Sequence, residues 1–243
     1  MNTQTLEQMK QLRLHGMHRA FDTSLSLQSV NYTNDELIAY LMQSEWDDRQ
    51  NRKIERLTKS ARFRYSAVME NIDYDPTRNI DKNQTQRFAS CDFVKQKENI
   101  LITGSTGAGK SYMASAIGHQ ACSLGYKVMY FNTTKLFTML KMSKADGSYV
   151  KQINKLEKQD LLILDDFGLK GLDNINRHSF MEIIEDRHGK KSTIIASQLP
   201  VEAWHEIIGE QTIADAILDR LVHTAHRIDI KGESMRKKQK NKQ

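Results

Sequence analysis

The sequence predicts an α/β fold: a mainly parallel, five-stranded sheet covered by helices on both faces, preceded by a small helical domain. Three observations carry this. After Pro76, short apolar runs alternate with amphipathic stretches of helical period. One of those runs, Ile100-Leu101-Ile102-Thr103, leads directly into a glycine-rich loop and then into a helical stretch. Before Pro76 the apolar residues recur only at helical spacing, with no strand-like run.

Taken in order, Leu6, Met9, Leu12, Met17 and Phe21 mark the first helical stretch, and Asn31-Tyr32-Thr33-Asn34 breaks it. Thr33 and Glu36 form a capping-box pair that opens a second helix through Leu37, Tyr40 and Leu41. Residues 49–64 carry Arg49, Arg52, Lys53, Arg56, Lys59, Arg62 and Arg64 against a single acid, Glu55. Such a run is either a solvated helix face or a surface for nucleic-acid phosphates. Asp73-Tyr74-Asp75-Pro76-Thr77 is polar and rich in turn formers, so it marks a boundary. Strands are then expected at 100–103, 128–131, 161–165, 193–196 and 227–230, with helices between them, for example at 111–124 and 177–188. Parallel strands of this kind need helical crossovers, which cover both faces of the sheet. The implied domains are a helical region at 1–70, a linker at 71–98, an α/β core at 99–232 and a basic, disordered tail at 233–243.

Composition narrows the classes. At 243 residues, 39% hydrophobic and 27% charged, the chain suits one α/β domain with an appendage. No apolar run approaches the ~18–20 residues of a membrane span. The opening residues lack a basic segment followed by an apolar one, so no signal peptide is expected and the cytoplasm is the expected compartment. Cys91 and Cys122 have no metal or redox spacing and are expected to be reduced and buried. His15, His18, His178, His188, His205, His223 and His226 likewise suggest no metal site. The net charge of +6 permits nucleic-acid binding.

Residues 104–111 read Gly-Ser-Thr-Gly-Ala-Gly-Lys-Ser, the complete G-x-x-x-x-G-K-[ST] phosphate loop. Gly104, Ser105, Thr106, Gly107, Ala108, Gly109, Lys110, Ser111 and Tyr112 are therefore the candidate nucleotide-binding residues. Successive backbone N–H groups can point at phosphates, and the following helix adds its positive end. Lys110 would reach the β- and γ-phosphates, and the Ser111 hydroxyl would ligate Mg²⁺. Leu161-Leu162-Ile163-Leu164-Asp165-Asp166 is a buried strand delivering two carboxylates to the same sheet edge. Asp165 suits the metal and Asp166 a general base for an attacking water. A second acid points to an ATPase that hydrolyses with its own polarised water rather than to a small-molecule kinase. Thr193-Ile194-Ile195-Ala196-Ser197-Gln198 is another apolar strand with a polar end; Ser197 or Gln198 could meet the γ-phosphate or the water, or simply begin a loop. Arg220 could reach the nucleotide of a neighbouring subunit or pair with Asp219 or Asp215 on the surface. Gly189-Lys190-Lys191-Ser192 lacks the upstream glycine of a phosphate loop and follows a helix, so it reads as a helix-terminating turn.

In combination, residues 103–111, 161–168 and 193–200 with Asp219-Arg220 resemble the AAA+ ATPases of the DnaC and IstB branch. The phrases Leu12-Arg13-Leu14-His15-Gly16-Met17, Asp75-Pro76-Thr77-Arg78-Asn79-Ile80-Asp81, Ala196-Ser197-Gln198-Leu199-Pro200 and Gly232-Glu233-Ser234-Met235-Arg236 resemble the IstB-like transposition helpers in particular. The resemblance covers essentially the whole chain. It implies a core in which the strand ending at Ser197 separates the Walker A and Walker B strands; in a departure from the broader AAA+ pattern, the short stretch after the last expected strand leads us to expect no C-terminal lid domain. It implies ATP and Mg²⁺ as ligands, Ser197 as first sensor, Arg236 as second sensor and Arg220 as arginine finger. It further implies ATP-dependent assembly on duplex DNA, deformation of that DNA and stimulation of a partner transposase, with the helical domain serving assembly and partner contact. Asp166 stands where a glutamate is usual, and Ser197 where asparagine is commoner. A DnaC-type helicase loader, a phosphate-loop kinase and a non-catalytic nucleotide-gated scaffold are the alternatives.

Overall fold

The computed structural model describes residues 2–26, 32–223 and 225–235. The expected break at Asn31, the residue Arg236 and the tail from 236 onward lie outside them. By contacts the chain divides into two units, Met1–Arg56 and Leu57–Gln243.

The first unit is helical: α1 is Asn2–Gln11, α2 is His15–Ser26 and α3 is Asn34–Ala61, whose last turn belongs to the second unit. The capping box forms as expected, with the Thr33 amide donating to Glu36 at 2.8 Å and the Glu36 amide to the Thr33 hydroxyl at 3.3 Å. Within this unit α2 and α3 cross at Gly16, where a Cβ would strike the Ser44 carbonyl and the Glu45 backbone. The buried Glu45 carboxylate accepts the Gly16 and Met17 amides at 2.8 and 3.1 Å, satisfying two of the donors that a helix start leaves unpaired. Much of the basic run is spoken for. Arg49 pairs with Glu45 at 2.7 Å and Arg52 with Asp48 at 2.6 Å, so acids upstream of residue 49 neutralise part of the face.

In the second unit, α4 (Lys82–Ala89) and α5 (Asp92–Gln96) precede β1 (Asn99–Gly104). There follow α6 (Lys110–Ser123), β2 (Val128–Asn132), α7 (Thr133–Ala145), α8 (Tyr149–Glu157) and β3 (Leu161–Phe167). Next come α9 (Asn174–Arg187), β4 (Ser192–Ser197), α10 (Trp204–Ile208), α11 (Gln211–Val222) and β5 (Ala225–Ile230). All five strands run parallel in the order β2-β3-β4-β1-β5. The strand ending at Ser197 therefore does lie between the strand of the phosphate loop and that of the paired acids. Alternation along the strands builds two cores. Ile100, Ile102, Ile163, Ile194 and Ala196 face α6, whereas Leu101, Leu162, Leu164 and Ile195 pack with α7, α9 and α11.

The expected boundary at residue 70 and the linker at 71–98 are displaced. Leu57, Ala61, Phe63, Met69, Ile72, Phe88, Cys91, Phe93 and Val94 all join the core facing α6, so packing makes this stretch part of the α/β unit. Polarity suggested a linker, but the apolar residues are spaced to cover one face of the sheet. Pro76 opens a short 3-10 turn, Pro76–Arg78, with the Asp75 carboxylate accepting the Thr77 amide. Gly189, with φ of 65°, ends α9 as a turn, as the sequence suggested. Cys91 and Cys122 are buried free thiols, which burial pushes up to about 12 and about 11. Among the described residues no helix is long and apolar enough to cross a membrane.

Candidate functional site

The loop at 104–109 joins β1 to α6 at the carboxyl edge of the sheet, where ligands of open α/β sheets gather. Two of its glycines are required by both backbone and space. Gly107 and Gly109 have φ of 80° and 101°, and a Cβ would meet the Ser234 side chain at the first and the Arg78 guanidinium at the second. Arg78, almost wholly buried, braces the loop from behind, donating to the Asp73 carbonyl at 2.7 Å and to the Ala108 carbonyl. The segment after β5 braces it from another side, the Met235 amide donating to the Gly107 carbonyl at 3.0 Å. The residue next to it, Arg236, is the one that the resemblance makes a second sensor, and it lies outside the described residues. Lys110 Nζ donates to the Gly104 and Ser105 carbonyls at 2.8 and 2.9 Å, beneath the loop.

Opposite the loop, β3 carries the acids. A register shift between Leu164 and Phe167 interrupts its pairing with β4, and Asp166 takes a left-handed φ of 58°. On a regular strand, consecutive side chains point to opposite faces. The bulge cancels that alternation, and both carboxylates are thereby turned toward the phosphate loop. Asp165 is fully buried and accepts the Ser111 hydroxyl at 2.9 Å; its other oxygen accepts the Tyr130 hydroxyl. Burial, then the Asp165 charge, pushes the Tyr130 phenol well above its ordinary value, so it stays a donor. Asp166 accepts the Asn132 amide at 2.9 Å and the Arg64 guanidinium at 3.0 Å.

A cavity of about 690 Å³ opens between loop and acids, lined by Thr106, Gly107, Gly109, Lys110, Ser111, Tyr112, Asp166 and Gln198, and at the far end by Ile72, Asp73 and Ile80. Its size suits a nucleotide. The donors also suit Mg²⁺. Ser111 and Asp165 offer two hard oxygens in contact, and magnesium ordinarily takes few protein ligands with the rest from phosphates and water. Among the described residues there is no cluster of three or more His, Cys, Asp or Glu that could hold a metal ion.

The two residues offered at the end of β4, Ser197 and Gln198, stand in different surroundings. Ser197 is buried, its hydroxyl donating to the Phe167 carbonyl at 2.8 Å and accepting the Leu199 amide at 3.1 Å. It ties the end of β4 to the bulged end of β3 and does not line the cavity. Its neighbour Gln198 does, accepting the Thr106 hydroxyl at 2.7 Å across the loop. Arg220 stands on α11, away from this cavity, donating to the Ala216 carbonyl at 2.8 Å with Glu185 at 3.8 Å; neither Asp215 nor Asp219 is its partner. Two of the histidines lie beside acids, His205 meeting Asp215 at 3.1 Å and His226 meeting Glu98 at 2.8 Å. Arg64 and Arg78 went unsingled in the sequence. Arg64 sat inside a basic run with no sign of acids a hundred residues away, and Arg78 inside a phrase that carried only a family resemblance.

In fold the chain is similar to DnaI, whose crystal structure superposes with a TM-score of 0.60 at 22% identity, covering 72% of this chain and 93% of that one. It is equally similar to AMPPCP-bound DnaA from Aquifex aeolicus, TM-score 0.60 at 19% identity, covering 74% and 55%. These likenesses are of fold alone. In sequence the chain is 43% identical over 239 residues to an insertion sequence ATP-binding protein, y4pL, of Sinorhizobium fredii, with 98% of each covered. It is 42% identical over 202 residues to the ATP-binding protein of insertion sequence IS1162 from Pseudomonas fluorescens, covering 82% of this chain and 87% of that one. The family model described as IstB-like ATP binding protein matches residues 7–243, and the chain belongs to that family.

Proposed function

We propose that this protein is a cytoplasmic, Mg²⁺-dependent ATPase that assembles on duplex DNA, deforms it and stimulates the transposase of an insertion sequence. The observation that carries the reading is the 2.9 Å contact between Ser111 of the phosphate loop and Asp165, with Asp166 beside it, in a chain whose relatives are named for insertion sequences. Bound Mg²⁺ would neutralise charge on the β- and γ-phosphates.

The residues then divide the work. Loop amides and the start of α6 hold the phosphates. Lys110 leaves the Gly104 and Ser105 carbonyls to meet them, and Tyr112 lines the same cavity. Asp166 takes the proton of the attacking water, and the Asn132 amide keeps its carboxylate aimed. Gln198, rather than Ser197, meets the γ-phosphate or the water. Arg220 serves the nucleotide of a neighbouring copy. The helical unit and the basic run serve assembly, DNA and partner contact, through phosphates and without sequence preference.

Purified protein is expected to release phosphate from ATP with no acceptor added. It should also bind duplex DNA more tightly with ATP than without. Preference for single strands together with capture of a replicative helicase would instead make it a loader. Phosphate transfer only when a small acceptor is supplied would make it a kinase.

A further inference from the structure

Past Ala61 the chain turns through Arg62, whose φ of 58° is left-handed. The next residues are anchored firmly. The Phe63 ring packs on His119 with centroids 4.2 Å apart, and His119 Nε2 lies 3.1 Å from the Tyr65 carbonyl. Between these anchors Arg64 reaches over the acids, with Nη1 3.0 Å from Asp166 Oδ2 and 3.5 Å from Asp165 Oδ2. Its side chain is 40% exposed, whereas those of Asp165 and Asp166 are 1% and 20% exposed.

Two adjacent carboxylates at one edge repel each other unless a cation lies between them. Here the chain supplies its own, on Oδ2 of each acid, while the other oxygen of Asp165, Oδ1, faces Ser111. Asp165 gives one oxygen to Ser111, so a divalent ion beside that pair would stand within a few ångströms of the guanidinium, and like charges at such a distance interact strongly. The backbone of Arg64 is held by its neighbours, but its side chain is solvated enough to swing aside.

Resting on the reading proposed above, we propose that Arg64 is a positioning residue: an internal counter-ion that holds Asp165 and Asp166 together and competes with the divalent cation for them. Cation binding then requires the guanidinium to leave the acids, so Arg64 sets how much free Mg²⁺ the site needs. The interaction is a charge competition and weakens as salt screens it.

Mn²⁺ is the probe, its free fraction followed by electron paramagnetic resonance on the full chain with a non-hydrolysable ATP analogue. Nucleotide affinity is measured separately in EDTA with a fluorescent analogue. Arg64→Gln is expected to bind Mn²⁺ about tenfold more tightly at low salt, a gap that narrows as salt rises. Arg64→Lys keeps the charge and should stay within about twofold of the parent. All three proteins should bind the nucleotide equally in EDTA. A merely structural arginine would change thermal stability and leave the Mn²⁺ difference absent. Equal or weaker Mn²⁺ binding by Arg64→Gln, with nucleotide still bound, overturns this inference and leaves the ATPase reading standing. Loss of nucleotide affinity in EDTA on that substitution would make Arg64 a phosphate ligand and also overturn it. Failure of the parent protein to bind nucleotide at all removes the reading and the inference together.

Discussion

Asp166 holds a left-handed backbone that an aspartate tolerates better than most side chains, at a cost normally met only where the surroundings dictate it. What dictates it is the need to face both acids one way. Asparagine tolerates the same conformation and has nearly the same volume, so Asp166→Asn is a clean removal of the proposed base. It is expected to bind ATP within about threefold of the parent and to lose about 10²–10⁴ in hydrolysis, measured by phosphate release. Unchanged turnover would take the role of base from Asp166. A paired comparison tests the proposal that Gln198, rather than Ser197, meets the γ-phosphate or the water. Ser197→Ala removes a buried hydroxyl that ties two strand ends and should cost about 1 kcal/mol of stability in urea unfolding, with turnover nearly intact. Gln198→Ala should show the reverse. If Ser197→Ala abolishes turnover in a normally stable protein, the original assignment is restored.

Helix α2 begins where Glu45 receives the Gly16 and Met17 amides, so one carboxylate on α3 caps a different helix. Burial works to raise this carboxyl, but Arg49 and the two amides outweigh it and hold it below the ordinary 4.5. Asp48 is likewise held down, chiefly by Arg19. A depressed carboxylate contributes stability that is present above its unfolded value and lost as pH falls through the folded one. The amides of α2 should therefore lose hydrogen-exchange protection, corrected for intrinsic rates, only as pH falls below the ordinary carboxyl value of 4.5. Glu45→Ala should show that loss already at pH 7, weakening α2 by about 1–3 kcal/mol. If α2 keeps its protection in the variant, the cap contributes nothing. The same element shows what composition hides: acids at Glu45 and Asp48, before the basic run starts, neutralise Arg49 and Arg52.

Assembly is the level at which the molecule's parts are expected to combine. Arg220 does not line its own chain's cavity, and among the described residues its one carboxylate contact, Glu185, is 3.8 Å away on a largely exposed side chain. An arginine delivered to another copy is typically worth ~10³–10⁵ in rate. Arg220→Ala should thus bind nucleotide normally and lose about 10³ in hydrolysis. Mixing it with Lys110→Ala should restore part of the activity, because each variant supplies what its neighbour lacks. No recovery on mixing, or parental turnover in Arg220→Ala alone, would remove the finger.

The motif-bearing parts of this protein were legible because their chemistry is local. A glycine loop followed by lysine and serine, apolar runs ending in acids, and a capping box each specify their own geometry through bonds a few residues long. Strand positions followed for the same reason, to within a residue or two at most ends. Other features depended on contacts far apart in the sequence. The bulge that turns Asp165 and Asp166 to one side arises from pairing with β4, and the burial of residues 57–98 from a sheet that forms only when all five strands meet. The exchange of Ser197 for Gln198 at the cavity, and the reach of Arg64 across a hundred residues to the acids, likewise belong to the folded chain. Sequence determined which groups this protein has for holding phosphate and metal. Tertiary structure decided which of them face one another, since side-chain direction is set by packing between segments that no local pattern relates.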